Sequence, residues 1–462
     1  MCRVILRGDA EAVAIDRRIL GLAGPAAVAL LTDPLYELTD VAILSTLGST
    51  PLGGAALASR LLGLAYATFI FLTFATTARV ARLRGAGRRR DAAETTVTAV
   101  WIGTGLGVTL MAILAVLGRP ALRALGGRGD VLDAAWVYLR VSIWGLPAFL
   151  IVLAGVGHLR GTSNTRTPLY ISAAAVTLNL VTEVVLVFGL GFGVGASALS
   201  TVIAKWASAS VILILIHRER RELGVSWGPR REHFHHLWGV GSALVIRTVA
   251  LLGTITAAAA LAARLGVEAL AAHSIVFGIW MFSVFASDGI EVAGQTLIAH
   301  HLGDAGGDGS ADETRERIVR RLLVWAGTLG LGLAVLLAAV GSPLVSIFTD
   351  DPRVAELAVF PMLCLVLLQP VNAVTFAVDG IMVGAAQQAR LARWMLLSAM
   401  AFTLVVAATS GVGSVEGRLD MVWVALVVFS TVRCGFGTVA TLRFAREGAA
   451  ALRSGGRLSR SC

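Results

Sequence analysis

The chain has 462 residues, of which 56% are hydrophobic and only 15% are charged. Ordinary soluble domains contain about 25% charged residues, so this composition excludes a soluble protein of the usual kind. The formal net charge of +10 could suggest a nucleic-acid partner, and the positions of the charges along the chain decide that question.

Twelve apolar runs follow one another along the chain, and short polar breaks separate them. They reach the roughly 20 residues that a helix needs to cross a bilayer. The sequence therefore predicts an all-α polytopic membrane protein with twelve transmembrane helices. The predicted spans are residues 19–46, 53–78, 94–118, 134–157, 168–190, 194–216, 237–263, 269–299, 320–342, 355–383, 391–412 and 420–442.

Arginines are concentrated in every second loop. Several follow the second predicted span, among them Arg82 and Arg88, and others follow the fourth, sixth, eighth and tenth spans. Both termini are also rich in arginine, whereas the intervening loops contain few. Because short cytoplasmic loops collect basic residues, we predict a plasma-membrane protein with both termini in the cytoplasm. The positive charge then reflects topology, and we expect no nucleic-acid partner.

Features that would indicate processing or metal binding are weak. The N-terminus contains acids and lacks a cleavable signal pattern, so we expect no processing. The four cysteines lack the paired spacing of a disulfide framework or a CxxC site. The histidines of HFHH at 233–236 and of the pair His300–His301 lie at predicted helix ends. We interpret them as solvated side chains and predict no metal site.

An internal repeat relates the two halves of the chain. Residues 48–85 match residues 266–303 without a gap, and LPAFLIVLAGVGHLRG from Leu146 matches QPVNAVTFAVDGIMVG from Gln369. Six spans per half is an even number, so the halves share one orientation, as in many secondary transporters. The second match also predicts close helix packing at two aligned glycine pairs, Gly157 with Gly161 and Gly380 with Gly384.

The repeat divides the chain into two lobes of six helices each. The predicted organisation is a cytoplasmic N-terminal segment at 1–18, an N-lobe at 19–216, a cytoplasmic linker at 217–236, a C-lobe at 237–442 and a cytoplasmic C-terminal tail at 443–462.

Three acids interrupt the first predicted span. Asp33, Glu37 and Asp40 are four and three residues apart, so a helix places them on one face. An ionisable group near the bilayer centre costs about 2.5–3.5 kcal/mol on insertion scales and is usually functional. Asp40 lies well inside the span, and we interpret it as functional. Asp33, which precedes Pro34, and Glu37 remain open between a functional and a structural role.

Three segments carry a family pattern in a fixed order, namely ILGLAGPAAVALLTDPLYELTDVAILSTLG, NLVTEVVLVFGLGFGVGASALSTVIA and SIFTDDPRV. They resemble the multidrug and toxic compound extrusion (MATE) transporters. The segments DGIEVAGQTLIAHHLG and VDGIMVGA are most similar to the DinF branch, and the resemblance covers about residues 15–445. It implies a twelve-helix exporter with two six-helix lobes. Such exporters exchange organic, often cationic or amphipathic, compounds for protons or sodium ions.

The resemblance also implies a cation-coupling site. It places the coupling acid of the first helix at Asp40, with Asn179 and Glu183 on the fifth helix and Thr201 on the sixth as partners. Asn179 and Glu183 are four residues apart and share a helix face, and all four side chains carry oxygen, as a proton or sodium site requires. Many relatives carry Asp where this chain has Glu183, and the extra methylene of Glu183 could change the cation preference.

A proline lies near the start of the first span. Pro25 has no backbone N–H and is predicted to kink the helix, and the family has a similarly placed proline at which the helix bends. A kink on the same helix as Asp40 would let the helix repack when the acid is protonated. A static kink is the alternative.

Other charges within the predicted spans have open roles. Lys205, the single lysine of the chain, could pair with Glu183, or its head group could extend to the membrane interface. Arg247, Asp288 and Asp379 could form an ion-pair network that lines the cavity, or a purely structural pair. Two further arginines are left without a role, Arg60 and Arg433.

We therefore predict a secondary exporter, a cation-coupled antiporter that uses protons rather than sodium and works by alternating access. No GxxxxGK motif is present, so ATP-driven transport would need another subunit. We expect small organic substrates, no cofactor other than the transported H⁺ or Na⁺, no enzymatic activity, and a monomer in the bilayer. The alternatives are a lipid-linked oligosaccharide flippase of the same superfamily and a major-facilitator-type transporter. The flippase would need a strongly cationic cavity. The major-facilitator alternative is disfavoured because ARVARLRGAGRRR lacks the acid expected in that superfamily's signature between the second and third helices.

Overall fold

The computed structural model describes residues 2–304, 310–409, 411 and 414–455. Within these ranges, the side chains of residues 2–10, 33–38, 236, 310–312, 342 and 447–455 are not described. The roles predicted for Asp33, Pro34 and Glu37 therefore concern side chains that lie outside the described ones.

The described chain folds into helices joined by short turns. The helices are α1 (Cys2–Ser45), α2 (Ser49–Phe69), α3 (Phe71–Gly85), α4 (Arg89–Ala124), α5 (Gly129–Ser142), α6 (Leu146–Gly161), α7 (Arg166–Val184), α8 (Val194–Glu222), α9 (Arg231–Arg264), α10 (Val267–Asp304), α11 (Ser310–Phe348), α12 (Pro352–Gly384), α13 (Gln388–Ala408) and α14 (Val415–Gly455). A 3₁₀ turn at Ile143–Gly145 connects α5 to α6, and a π-helical segment at Val185–Gly189 extends α7.

These helices correspond to the twelve predicted spans. The pair α2 and α3 and the pair α5 and α6 each form one continuous span, and every other span is a single helix. Among the described residues, eleven of the spans are long and apolar enough to cross a membrane, and α1 supplies the remaining span. The all-α, twelve-helix prediction is confirmed. An apolar helix satisfies its own backbone hydrogen bonds, which a segment inside lipid requires.

Glycines end several helices. Gly126 and Gly224 have φ values of 100° and 62°, which non-glycine residues rarely adopt. They follow α4 and α8, and the N–H of Gly126 donates to the carbonyl of Arg123 while the next N–H, of Gly127, donates to that of Leu122. This is the Schellman pattern that satisfies the last carbonyls of a helix, and it allows sharp turns between adjacent spans.

The helices form two compact units. One comprises Val28–Gly241, and the other comprises Met1–Ala27 together with Ser242–Cys462. Helices α1 and α9 are therefore each divided between the units, and residues 19–27, predicted to belong to the N-lobe, group with the C-terminal half. The remaining lobe and linker boundaries stay predictions.

The start of α1 packs on α11. The carboxylate of Asp16 accepts a hydrogen bond of 2.6 Å from Arg321 Nε and one of 2.9 Å from Trp325 Nε1. The Arg321 guanidinium holds the pKa of Asp16 below its usual range. Part of the segment predicted as a separate N-terminal piece is thus a helical extension of the first span, attached to the second unit.

Equivalent glycines make equivalent close contacts in the two units. A methyl group on Gly157 of α6 would lie 2.8 Å from the carbonyl oxygen of Thr73 on α3. Gly380 of α12 makes the same contact with α10, because a methyl group on it would clash with the carbonyl oxygen of Glu291. Thr73 and Glu291 are matched positions of the repeat, so the structure confirms the predicted close packing.

The second glycine pair and the matched prolines repeat the pattern. A methyl group on Gly161 would lie 2.9 Å from the Thr77 carbonyl oxygen, and one on Gly384 would lie 2.6 Å from that of Gln295. A methyl group on Gly107 would lie 2.5 Å from the Cα of Pro147, and one on Gly330 would lie 2.5 Å from the Cα of the matching Pro370. The internal repeat is therefore one packing scheme used twice.

Candidate functional site

The first candidate site lies in the unit Val28–Gly241. It combines side chains from three helices, with Asp40 on α1, Asn179 and Glu183 one turn apart on α7, and Thr201 on α8. Asp40 is 7% exposed and Glu183 is completely buried. The structure brings together all four residues that the resemblance assigned to one site.

Ser197, one turn before Thr201 on α8, connects the polar groups. Its hydroxyl donates a hydrogen bond of 2.7 Å to Asp40 Oδ1, and its carbonyl oxygen accepts from the hydroxyls of Ser200 and Thr201 at 2.7 and 3.2 Å. Asn179 Nδ2 in turn donates to Ser200 Oγ at 3.0 Å and to Thr201 Oγ1 at 3.4 Å. The sequence analysis did not single out Ser197, although its i−4 spacing from Thr201 places it on the same helix face.

Acceptor oxygens without donors are concentrated at this site. Both carboxyl oxygens of Glu183 and the amide oxygen of Asn179 are buried, and they accept no hydrogen bond from the described residues. Asp40 and Ser197 lie next to the Glu183 carboxyl without a hydrogen bond of normal geometry to it. Two adjacent buried carboxyl groups repel each other when both are ionised. The arrangement therefore suits a proton or a hard cation, because both bind to oxygen atoms.

Lys205 lies one helical turn from Thr201, but it points to an aromatic pair. Its Nζ donates to the hydroxyl of Tyr66 on α2 and lies 5.4 Å from the ring centroid of Phe149. Among the described residues it forms no ion pair, so the pairing with Glu183 is not made. The lysine is half-buried, and its charge is stabilised by the hydroxyl and by the aromatic rings.

Pro25 is half-buried within α1, which continues as a helix from Cys2 to Ser45. The residue lies two positions before Ala27, where the helix passes from one compact unit to the other. The predicted kink and its role in transport stay predictions.

The second candidate site lies wholly in the other unit. Asp379 of α12 is 2% exposed, and its Oδ2 accepts hydrogen bonds from Arg247 of α9 and from Arg433 of α14. Glu291 of α10, also 2% exposed, has its Oε1 3.9 Å from Arg247 Nη2. Asp288 is half-buried one turn before Glu291 and interacts electrostatically with Arg247.

This charge cluster is larger than the sequence indicated. The predicted ion pair of Arg247 with Asp379 is formed, but Arg433 had no assigned role, and the sequence analysis did not identify Glu291. The signal for Glu291 was its i+3 spacing from Asp288, which puts the two acids on one face of α10. Which partner a buried acid meets depends on how four helices are rotated, and no local pattern gives that rotation.

Two histidines of the unit Val28–Gly241 are buried, contrary to the solvated role predicted for His233. His158 of α6 lies 2.7 Å from Glu219 Oε2 through Nε2 and 2.8 Å from Thr96 Oγ1 through Nδ1. His233, at the start of α9, is 3.3 Å from the hydroxyl of Thr95, the residue next to Thr96.

The partner of His233 explains its burial. Glu94 of α4 lies 3.8 Å from His233 Nε2 and accepts a hydrogen bond of 3.2 Å from Arg230. These contacts hold the start of α9 against α4. The prediction of a solvated His233 is wrong because a buried carboxylate on another helix faces it. His235 is exposed as predicted, and the side chain of His236 lies outside the described ones.

Comparisons with known proteins agree with this fold. The family model described as MatE matches residues 25–185 and 243–409. The chain is 30% identical over 437 residues to Protein DETOXIFICATION 44, chloroplastic, of Arabidopsis thaliana, covering 91% of this chain and 81% of the relative. It is 27% identical over 430 residues to DNA damage-inducible protein F of Escherichia coli (strain K12), covering 90% of each.

A solved structure supports the same architecture. The structure titled as the outward-facing conformation of a multidrug resistance MATE family transporter of the MOP superfamily superposes with a TM-score of 0.85. The alignment covers 94% of this chain and 97% of that one at 18% sequence identity. At this identity the likeness shows a shared fold.

Proposed function

The chain belongs to the MatE family, and we propose that it exports small organic compounds from the cytoplasm in exchange for protons. Multidrug efflux transport is the activity that the family and its relatives support, and the resemblance to the MATE transporters and their DinF branch is confirmed. The coupling ion and the site residues are the parts that we propose.

The observation that carries this proposal is the buried pair of Asp40 and Glu183. The Glu183 oxygens have no donor among the described residues, and Asp40 lies beside them. A single proton on either carboxyl would supply the missing donor and remove the repulsion between the two groups. Sodium would need several oxygens arranged around one point, and the hydroxyl oxygens of Ser200 and Thr201 already accept hydrogen bonds from Asn179 Nδ2. These facts favour a proton.

A transport cycle follows from the pair. Protonation from the outside would neutralise the site and relax the polar contacts between α1, α7 and α8. The protein would release substrate to the outside and would then favour the inward-facing state. Loss of the proton to the cytoplasm would restore the charged site and complete the alternating-access cycle.

The remaining parts of the proposal concern the setting of the protein. The arginine-rich loops support termini in the cytoplasm and a location in the plasma membrane. The protein would act as a monomer, without a resident cofactor, without a nucleic-acid partner and without enzymatic activity.

Transport assays with purified protein in lipid vesicles test the coupling ion. Ethidium movement is recorded by fluorescence, first with an imposed pH gradient and then with an imposed sodium gradient at equal pH on both sides. We expect the pH gradient alone to drive ethidium in the absence of ATP. Ethidium movement driven only by the sodium gradient would contradict proton coupling, and movement driven by neither gradient would contradict antiport.

A further inference from the structure

We propose that a cavity between the ends of α9, α13 and α14 binds one anionic phospholipid, with the lipid phosphate held by Arg264 and Arg418. The cavity has a volume of about 210 Å³, and all its lining residues belong to the unit that contains Ser242–Cys462. Its lining consists of the two arginines, Thr409 and five apolar side chains. The inference depends neither on the coupling ion nor on the transported compound.

Two arginines from different helices line the cavity. Arg264 is the last residue of α9, and Arg418 lies in the first turn of α14. Both belong to the group of loops in which arginine is scarce, because basic residues favour the other side of the membrane. A guanidinium has five N–H donors and can bind phosphate oxygens through two of them at once. Each arginine can therefore hold a phosphate in addition to another partner.

The acids near these arginines do not line the cavity. Glu416 of α14 accepts a hydrogen bond from Arg353, and Asp420 lies close enough to Cys364 of α12 to interact with it electrostatically. Glu268, near the start of α10, is exposed. None of these three acids is among the described lining residues, which include two positive charges and no negative one. The cavity therefore suits an anion.

The cavity lies at the membrane boundary. Arg264 directly follows the predicted span 237–263, and Arg418 comes two residues before the predicted span 420–442. Basic pockets between transmembrane helices bind the headgroups of anionic lipids. The two arginines are thus placed at the level of the headgroups, with an apolar lining beside them for the start of an acyl chain. Four of the five apolar lining residues fall inside predicted spans, namely Leu261, Val406, Met421 and Val422.

The size of the cavity favours one part of a long molecule. Pockets for drug-sized ligands have volumes of about 300–1,000 Å³, whereas this cavity has about 210 Å³. A phospholipid needs room only for its phosphate and the neighbouring groups, because its acyl chains continue into the bilayer. This observation favours a lipid over a whole organic anion.

The corresponding place in the other unit is filled by apolar side chains. The repeat, continued back along α1 and α9, matches Leu261 with Ile43 and Leu265 with Leu47. Ile43 is 8% exposed and belongs to an apolar cluster with Val187, against which Leu47 also packs. The repeated scaffold can therefore be closed at this place, and the cavity is a feature of the second unit.

The polar lining residues have counterparts that confirm this difference. Ser163 and Ala386, just before α7 and α13, are matched positions with φ values of 61° and 60°, so the two helices begin in the same register. Counting on, Thr409 takes the place of Leu186, which packs against the apolar cluster of the other unit. In the same register Val406 takes the place of Glu183. The cavity thus lacks this acid of the cation site, and a second cation site is not supported.

Native mass spectrometry of the purified full-length protein in a neutral detergent tests the lipid site. The protein is titrated with phosphatidylglycerol, with phosphatidylcholine of the same acyl chains, or with phosphatidylglycerol in the presence of glycerol phosphate, and the affinity of the first bound lipid is measured. We expect phosphatidylglycerol to bind at least about tenfold more tightly than phosphatidylcholine, whose headgroup cation the two guanidinium groups repel. The double variant Arg264→Gln/Arg418→Gln should bind phosphatidylglycerol about ten- to a hundredfold more weakly, because charge-assisted hydrogen bonds are lost.

Two further variants separate charge from shape. The matched control is Arg119→Gln/Arg123→Gln, which removes two exposed arginines near the end of α4 in the other unit and should change the affinity by less than about twofold. Val406→Phe keeps both arginines but fills the apolar part of the cavity. It should weaken phosphatidylglycerol binding about fivefold or more.

Several results would overturn the inference. Unchanged phosphatidylglycerol affinity in Arg264→Gln/Arg418→Gln, or equal wild-type affinity for the two lipids, would remove the role of the arginines. Displacement of phosphatidylglycerol by an equal concentration of glycerol phosphate would indicate an anion site without a lipid. An equal loss in the Arg119→Gln/Arg123→Gln control would indicate general attraction to positive charge, and unchanged binding in Val406→Phe would place the lipid outside the cavity. If the Arg264→Gln/Arg418→Gln variant does not fold, Val406→Phe and the wild-type comparison of the two lipids decide.

Discussion

Asp40 and Glu183 show how two side chains can form one functional unit. Each is an acid with ordinary chemistry, but their burial side by side makes the charge of one depend on the charge of the other. The single hydrogen bond from Ser197 at 2.7 Å goes to Asp40, whereas Glu183 has no donor among the described residues. The two acids are therefore inequivalent, and substitutions at the two positions are informative together.

We predict that Asp40→Asn abolishes export driven by a pH gradient while expression and membrane insertion stay close to wild type. The amide keeps the shape of the carboxyl but cannot carry the transported proton. Glu183→Gln is expected to have a similar effect, and the double variant to be little worse than either single one, because the two residues act as one site. Ethidium efflux from vesicles at a fixed pH gradient measures this effect.

The control for this prediction is Asp130→Asn, the same change at an exposed position in the first turn of α5. It should leave export near the wild-type rate. Export at the wild-type rate in Asp40→Asn, with a normal amount of protein in the vesicles, would show that Asp40 is only structural.

At the scale of helices, the matched glycines decide how closely neighbouring spans approach. Contacts between α3 and α6 and between α10 and α12 place backbone atoms of one helix against glycine of the other. Helices in lipid gain little from the hydrophobic effect and depend on such close packing. Small residues at these positions should therefore matter for stability in both units.

Gly157→Ala is predicted to destabilise the protein by about 1–3 kcal/mol, the usual cost of overpacking a tight contact. The added methyl group would meet Thr73 O and Thr76 Cβ, each at 2.8 Å. Thermal unfolding in detergent, followed by tryptophan fluorescence, should show a lower midpoint. Gly278→Ala on α10 is the control, since no atom lies within 4 Å of its added methyl group. Equal midpoints for both variants would show that the α3–α6 contact tolerates a side chain.

At the scale of the whole molecule, the arginine distribution predicts the topology. Reporter domains fused at Arg88 and Arg220 should lie in the cytoplasm, and one fused near Gly127 should lie outside the cell, because basic residues are retained on the cytoplasmic side. A protease-protection or phosphatase-fusion assay measures this. The opposite pattern at all three positions would reverse the proposed orientation.

Features with a period or a repeat could be predicted from the sequence. The twelve spans follow from runs of apolar residues, and the glycine contacts follow from matched segments. The Asp40 site could be assigned because the resemblance related positions on three helices. Long-range pairings were harder to predict. The contacts of Lys205 with Tyr66, His233 with Thr95, and Arg433 with Asp379 depend on helix rotations that tertiary packing sets.

The position of Lys205 has a practical consequence for labelling. It is the single lysine in the chain, so an amine-specific reagent has one side chain to modify, and mass spectrometry of the peptide that contains it separates this modification from that of the α-amino group. The ammonium group is half-buried against Tyr66 and Phe149, one turn from Thr201. At a fixed pH, its rate of modification therefore measures how often this part of the unit opens to solvent, and comparing that rate between the wild type and Asp40→Asn reads out motion beside the Asp40 site.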